Sequence, residues 1–150
     1  MDFLNDVFQN TIFVSAALGW LIAQVLKTLI YLIINKRFVA ERMVGGGGMP
    51  SSHSATVCAL ATAAGMKYGG GSFEFAISAM FAMVVMYDAM GVRRETGIQA
   101  KVLNEMMDLL TNMGKEMSAE DRLKELVGHT PLQVLMGALL GVLIAVLIGM

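Results

Sequence analysis

Long apolar stretches separated by polar segments are the dominant pattern along the chain. Residues 11–34 form the first stretch, with Lys27 as its single charge, and they exceed the roughly 20 residues that a helix needs to cross a bilayer. Residues 72–90 carry two acidic side chains near their ends, and residues 131–150 carry no charge. The pattern predicts a membrane-spanning helix in each of these three stretches.

A fourth apolar stretch, residues 54–66, is shorter and consists mainly of small side chains. It falls below the roughly 20 residues of a full crossing, so we expect it to start deep in the membrane or to lean on its neighbours. With this element included, the sequence predicts an all-α polytopic membrane protein with about four membrane helices. We treat residues 1–150 as a single domain.

The segment 99–127 is charged and amphipathic, which sets it apart from the membrane stretches. One helical face of residues 99–113 is apolar and the opposite face is polar, which is typical of a surface helix. A second short helix is predicted at 119–127, after Ser118 and before Gly128, because these residues suit the two ends of a helix. The segment is therefore predicted to be a helical hairpin on the membrane surface.

Composition agrees with a membrane protein and excludes several functions. The chain is 56% apolar, with a net charge of −1 and a mean hydropathy of +0.64. Its basic residues are not interleaved with aromatic ones, so nucleic acid is not a predicted partner. Cys58 is the single cysteine, so one chain can form neither a disulfide nor a cysteine metal site. No metal or other cofactor is expected, and the first apolar segment should remain in the mature protein because it lacks a basic flank.

The basic residues predict the orientation in the membrane, since short cytoplasmic loops collect Lys and Arg. Lys67 alone lies on one side, whereas the other side holds Lys36, Arg37, Arg42, Arg93, Arg94, Lys101, Lys115, Arg122 and Lys124. We therefore expect a protein of the cell membrane with both termini outside the cell and both long loops on the cytoplasmic side. This places His53, Asp88 and His129 at one membrane face.

The glycine-rich run 45–54 ends in Pro-Ser-Ser-His-Ser at a predicted helix start. Glycines let backbone amides approach an anion, and a helix N-terminus favours negative charge, so phosphate is a natural ligand. A flexible linker capped by Ser51 or Ser52 explains the same residues equally well. His53 favours the phosphate site, because its imidazole can donate a proton to a leaving oxygen.

His129 is the second of the two histidines, and it also lies at a helix start. One imidazole can attack phosphorus while the other protonates the departing alcohol, although two helix-end histidines can also arise by chance. Lys27 lies inside an apolar span, where it either extends to the interface or faces a buried anion. The positive-inside bias alone explains several of the other basic residues, which include Lys36 and Arg42 and the pair Arg93 and Arg94 near Asp88.

Several motifs in this sequence resemble one known family. They are Met-Pro-Ser-Ser-His-Ser-Ala at 49–55, Tyr-Asp-Ala at 87–89, Gly-Val-Arg-Arg at 91–94, and Gly-His-Thr-Pro at 128–131 with Gln133, Val134 and Gly137. This set, which covers nearly the whole chain, resembles the small divergent membrane branch of the type 2 phosphatidic acid phosphatase and vanadium haloperoxidase superfamily.

The resemblance implies a set of roles for these residues. His129 would be the nucleophile that forms a phosphohistidine, and His53 the general acid. Phosphate would be held by Ser52, by Ser51 and the backbone near Gly48, and by cations among Lys27, Lys36, Arg42, Arg93 and Arg94. Gln133 stands where the superfamily has an Asp that orients the nucleophile, and Asp88 is a further orienting candidate. Lys36 and Arg42 are six residues apart without the expected Pro, so Lys27 is an equal candidate for the first motif.

Three functions remain in view. The leading one is a metal-independent phosphatase, for phosphomonoester or pyrophosphate bonds, acting on a lipid phosphate at the cytoplasmic membrane face. The alternative is an inactive relative that binds a phospholipid headgroup or handles lipids, for which Gln133 is the best argument. A channel or transporter subunit ranks last. The bilayer and a lipid phosphate are the expected partners. Small residues along 55–65 and 137–149 would permit close helix packing, either within one chain or between chains in a homo-oligomer.

Overall fold

The computed structural model describes residues 2–37, 48–113, 123 and 128–150. These residues form six α-helices, and no strand is present among them. The helices are α1 (Asp2–Gln9), α2 (Thr11–Asn35), α3 (Ser52–Tyr68), α4 (Phe73–Met90), α5 (Val92–Asn112) and α6 (Pro131–Gly149). The predicted all-α membrane fold is confirmed.

The apolar stretches of the sequence correspond to α2, α3, α4 and α6. Within the described residues, three helical stretches are long and apolar enough to cross a membrane, namely Thr11–Asn35, Phe73–Asn112 and Pro131–Gly149. The second of them contains both α4 and α5, which meet at Gly91. At 17 residues, α3 is shorter than these stretches, and a fourth crossing stays a prediction.

Polar side chains fix where several helices begin. The side-chain oxygen of Asn10 accepts a hydrogen bond from the Ile12 N–H at 3.1 Å, and Ser51 Oγ accepts one from the Ser54 N–H at 3.3 Å. Such caps satisfy backbone donors that have no partner within the helix. Because Ser51 is the cap, α3 begins at Ser52, two residues before the predicted start, and His53 lies in its first turn.

The centre of the bundle is α3, which packs against α2, α4 and α6. Glycines of α6 face its backbone: a Cβ at Gly137 would overlap Ser51 O, and one at Gly141 would overlap Ala55 O. These contacts show that α3 and α6 run in the same direction. Small residues let the two helices approach closely, as is common in membrane proteins. The predicted packing role of the small residues is thus seen within one chain.

The periphery is formed by α5 and α1. Helix α5 begins at Val92, earlier than the predicted start at 99, and α4 is the described helix that it contacts. Its apolar side chains remain exposed, as in Met106 and Leu109, which suits a helix on the membrane surface. Asn104 exchanges two hydrogen bonds with the Leu123 backbone, at 2.9 and 3.0 Å. The rest of the second predicted helix, 119–127, lies outside the described residues.

Candidate active site

The two histidines lie together at one end of the bundle. His53 is in the first turn of α3, and His129 directly precedes the cap of α6. Since α3 and α6 run in the same direction, their N-termini meet, and the two rings have centroids 5.9 Å apart with an interplanar angle of 63°. His129 is 4% exposed, whereas His53 is half-buried. The sequence-based prediction that these residues share one membrane face agrees with this placement.

His129 is held by α4 and by the first turn of α6. Its backbone N–H donates to the Ala89 carbonyl at 3.0 Å. Its ring Nδ1 lies 3.2 Å from Gln133 Oε1, and the Thr130 N–H donates to that same oxygen at 3.1 Å. Because a carboxamide oxygen can only accept, Nδ1 must carry the hydrogen in this contact. Nε2 of the neutral ring then keeps its lone pair, which is the form that a nucleophile requires.

Three serines surround His53 at the N-terminus of α3. Ser51, Ser52 and Ser54 are all buried. The Ser51 N–H donates to the Gln133 carbonyl at 3.0 Å, which links this turn directly to the residue that orients His129. Gly48, which precedes the turn, has a φ of +87°, a conformation that glycine adopts readily. The structure therefore brings Ser51, Ser52 and Gln133 to the histidine pair.

Lys27 is a buried cation at the same end of the molecule, with 2% of its surface exposed. A Cβ at Gly19 of α2 would lie 2.9 Å from Ala55 O, which fixes the level of α2 against α3. Lys27 is two turns further along, about 12 Å towards the site end. Helical side chains lean towards the N-terminus of their helix, so the Lys27 side chain leans back towards the level of His53.

The remaining predicted site residues differ in burial and in their distance from the two histidines. Lys36 and Arg94 are exposed to solvent. Arg93 lies in the first turn of α5, and Arg42 lies outside the described residues. Asp88 is half-buried in the last turn of α4, next to the Ala89 carbonyl that binds the His129 backbone. Among the cations with described side chains, Lys27 is therefore the one that is buried near the site.

Sequence reasoning missed two buried polar residues, Gln24 and Ser54. Gln24 is 6% exposed and Ser54 is fully buried. Within the described part of the chain, Gln24 Oε1 and Ser54 Oγ have no hydrogen-bond partner. Such groups are costly to bury unless a partner is bound, so both are candidates for binding a ligand. The signal for Gln24 was available in the sequence, because it lies one turn before Lys27 in an apolar span.

Acidic, histidine and cysteine side chains are sparse at this end. The described residues contain no group of three or more of them that could hold a metal ion. What the site offers is a buried ammonium, a helix N-terminus and two imidazoles. These groups are suited to binding an anion and to moving protons at it.

The fold and this site define a class: a helical membrane protein with paired histidines where two helices begin. The sequence matches the family model described as "Divergent PAP2 family" over residues 8–144, and the chain belongs to that family. It is 37% identical over 153 aligned residues to the "Uncharacterized membrane protein YuiD" of Bacillus subtilis (strain 168), covering 96% of this chain and 97% of that protein. No solved structure matches the chain. The resemblance stated from the motifs is thus confirmed.

Proposed function

We propose that this protein is a metal-independent lipid phosphate phosphatase that works through a phosphohistidine. The observation that carries the proposal is the geometry of His129, whose Nδ1 binds Gln133 Oε1 at 3.2 Å while the His53 ring lies 5.9 Å away. Family membership supports a phosphatase-related fold. Both the nucleophile and a proton donor are therefore available to one phosphate.

One phosphoryl transfer and one proton transfer make up the proposed first step. His129 Nε2 attacks phosphorus and forms a P–N bond, while the bond from phosphorus to the lipid oxygen breaks. Protonated His53 donates its proton to that oxygen, and the lipid alcohol leaves. The short separation of the two rings brings both imidazoles within reach of one bound phosphoryl group.

The second step returns the site to its starting state. His53, now neutral, takes a proton from a water molecule that attacks phosphorus. The P–N bond breaks, inorganic phosphate leaves, and His129 is again neutral. The Lys27 ammonium and the N-terminus of α3 stabilise the charge that spreads over the phosphoryl oxygens.

The proposed site lies at the cytoplasmic face of the cell membrane, where the phosphate group of a membrane lipid can reach it. Lys36 and Arg37 follow α2 at the site end, and Arg94 and Lys101 lie on α5, whereas Lys67 is at the other end of α3. This distribution follows the positive-inside rule. A phosphate carried by a membrane lipid therefore fits the position of the site better than a soluble ester does.

A second candidate, a headgroup-binding protein without turnover, is favoured by one observation. Gln133 contacts His129 Nδ1 with a neutral carboxamide. A carboxylate in that position would stabilise the positive charge that develops on the attacking imidazole, and a carboxamide does so less well. In this second candidate, the site binds the phosphate of the headgroup but does not hydrolyse it.

Phosphate release distinguishes the two candidates. The purified protein in liposomes, without added metal, is given phosphatidic acid and a polyprenyl phosphate, alongside the variants His129→Ala and His53→Ala. The phosphatase proposal expects release by the wild type and its loss in both variants, with membrane insertion retained. If no lipid is hydrolysed and headgroup binding survives both substitutions, the protein is a binder.

A further inference from the structure

A cavity of about 520 Å³ lies at the other end of the bundle from the histidines. Its apolar lining comes from α2 at Ile12, from α3 at Leu60 and Ala64, and from α4 at Ile77 and Phe81. Tyr68 and Glu74 lie at its outer margin, where α3 ends and α4 begins. The cavity is therefore an open apolar pocket between three helices, with Tyr68 and Glu74 at its outer margin.

The α3 residues that line this cavity continue a stripe that starts at the active site. Leu60, Ala64 and Tyr68 are spaced by four residues, and the same face leads back through Thr56 to His53. His53, Thr56 and Leu60 are all half-buried, so this face is neither packed shut nor fully open. One face of α3 thus connects the candidate active site to the cavity.

The neighbouring helices leave this stripe partly uncovered from His53 to Leu60, whereas Ala64, at the cavity, is buried. Helix α3 packs against α4 through Val57 and Ala61, and its Ala55 and Ala59 lie against Gly19 of α2. These contacts lie on either side of the stripe. Among the described helices, α2 and α4 do not contact each other. The stripe is therefore the floor of a groove whose two walls are α2 and α4.

The chemistry of the groove changes along its length. At one end are His53 and the buried Lys27, next to the N-terminus of α3. At the other end, the cavity lining is apolar. From His53 to Ala64 the floor spans eleven residues, about 16 Å at the helical rise. Half of the hydrocarbon core of a bilayer is about 15 Å thick, so the groove has the length of one lipid chain in one leaflet.

We propose that this groove binds one hydrocarbon chain of the lipid whose phosphate lies between His53 and His129. The chain follows α3 past Thr56 and ends in the cavity at Leu60 and Ala64. This inference rests on the proposed function for the identity of the headgroup. It assigns the preference for long-chain substrates to the cavity, which lies far from the reacting phosphorus.

Filling the cavity tests the assignment in the hydrolysis assay. The Ala64→Phe variant puts a ring into the cavity, and Ala76→Phe is its control, because Ala76 is exposed on α4. Release from long-chain phosphatidic acid should fall about tenfold in Ala64→Phe, with less than about a twofold change for a short-chain analogue. An equal loss of phosphate release from both substrates, or the same loss in Ala76→Phe, would contradict the proposal that the groove binds the lipid chain.

Fluorescence quenching tests the groove without relying on turnover. Trp20 is the only tryptophan, and it is exposed on α2. A Leu60→Trp, Trp20→Phe double variant places an indole in the groove instead. The protein is placed in phosphatidylcholine nanodiscs that contain a small fraction of lipid with brominated chains. Brominated phosphatidic acid should quench the Leu60→Trp indole at least about twofold more than brominated phosphatidylcholine does. In the wild type, both lipids should quench Trp20 equally.

The two readouts separate failure of the groove from failure of the phosphatase. Equal quenching of the Leu60→Trp indole by both lipids means that ordinary bilayer lipid fills the groove, and the inference is then wrong even if phosphate is released. Selective quenching without any phosphate release supports the groove and refutes the phosphatase.

Discussion

The α3–α6 pair and the α4–α5 pair both reach the histidine site, but they contribute to it in different ways. Between α3 and α6, Gly137 and Gly141 let the two helices pack closely, and both histidines of the candidate site lie at the starts of these helices. Helix α4 contributes a backbone contact through the Ala89 carbonyl, and α5 exposes its charged and apolar side chains. The proposed chemistry therefore depends on the closely packed α3–α6 pair, and the α4–α5 pair mainly supports that pair.

This difference explains why small residues matter at positions far from the reacting atoms. The ring separation of 5.9 Å depends on how far apart the starts of α3 and α6 lie. Any side chain that pushes the helices apart moves both the Ser51–Gln133 backbone contact and the two rings. By contrast, a change on the exposed face of α5 moves nothing that the site uses.

The largest expected effect is at Gly141. In Gly141→Leu the new side chain would meet Ala55 O and the Ala59 N of α3, which cannot shift without moving the helix. Overpacking of this kind costs about 1–3 kcal/mol or more, and we expect loss of the folded bundle as well as of activity. Thermal unfolding in detergent measures the loss of stability, and phosphate release measures the loss of activity.

Gly149→Ala is the matched control at the far end of α6. Its new Cβ would meet Met66 Cε at 2.8 Å, which is the end of a flexible side chain and can move. We expect an unfolding temperature close to that of the wild type. If Gly141→Leu were as stable as Gly149→Ala, close packing of α3 on α6 would not be what holds the site.

The next prediction compares the loss of a buried cation, Lys27, with the loss of an exposed one, Arg94. Lys27→Met removes the ammonium that is 2% exposed, and we expect phosphate release to fall about a hundredfold. Arg94→Gln removes a charge from the exposed face of α5, where solvent and salt screen it. Its effect should stay below about threefold.

Salt concentration sharpens this second comparison. The small contribution of Arg94 should disappear as salt is raised, whereas that of Lys27 should persist because its side chain is buried. Similar losses in the two variants at every salt concentration would mean that exposed charges bind the headgroup, and Lys27 would then have no special role.

The third comparison, with an expected loss no larger than that of Lys27→Met, concerns Gln133, which contacts the His129 ring. In Gln133→Leu, the ring loses its acceptor at Nδ1, and we expect release to fall about tenfold to a hundredfold. Gln133→Glu keeps an oxygen in the same place and adds a charge that stabilises the imidazolium, so its rate should equal or exceed that of the wild type.

Unfolding must be measured for both Gln133 variants, because Gln133 also takes part in the cap of α6 through Thr130. Loss of such a cap costs about 1 kcal/mol of stability. A Gln133→Leu variant that is stable and fully active would show that the Nδ1 contact does not orient the nucleophile.

Much of the fold could be predicted because hydropathy alone marks membrane helices. The predicted span 11–34 is observed as Thr11–Asn35, and 72–90 as Phe73–Met90. Helix starts were harder, since polar first turns resemble loops. Ser52 and His53 belong to α3, and residues 92–98 belong to α5, although their side chains gave no apolar pattern to follow.

The pairing of His53 with His129 could be predicted from their positions at helix starts on one membrane side. The choice among the cations could not, because burial depends on the register of α2 against α3, which Gly19 sets by its contact with Ala55. Lys36 and Lys27 look equally suitable in the sequence, but one is exposed and the other buried. Gln24 was missed although its position inside an apolar span was visible in the sequence.

The most direct test of the account is to trap the phosphorylated protein. Lipid phosphate labelled on phosphorus is mixed with the purified protein and quenched in alkali, where a phosphohistidine survives, and the labelled peptide is then sequenced. We expect acid-labile label on His129, its accumulation in His53→Gln when the leaving group needs no protonation, and its absence in His129→Asn. Phosphate release with no label on His129 would contradict the proposed mechanism.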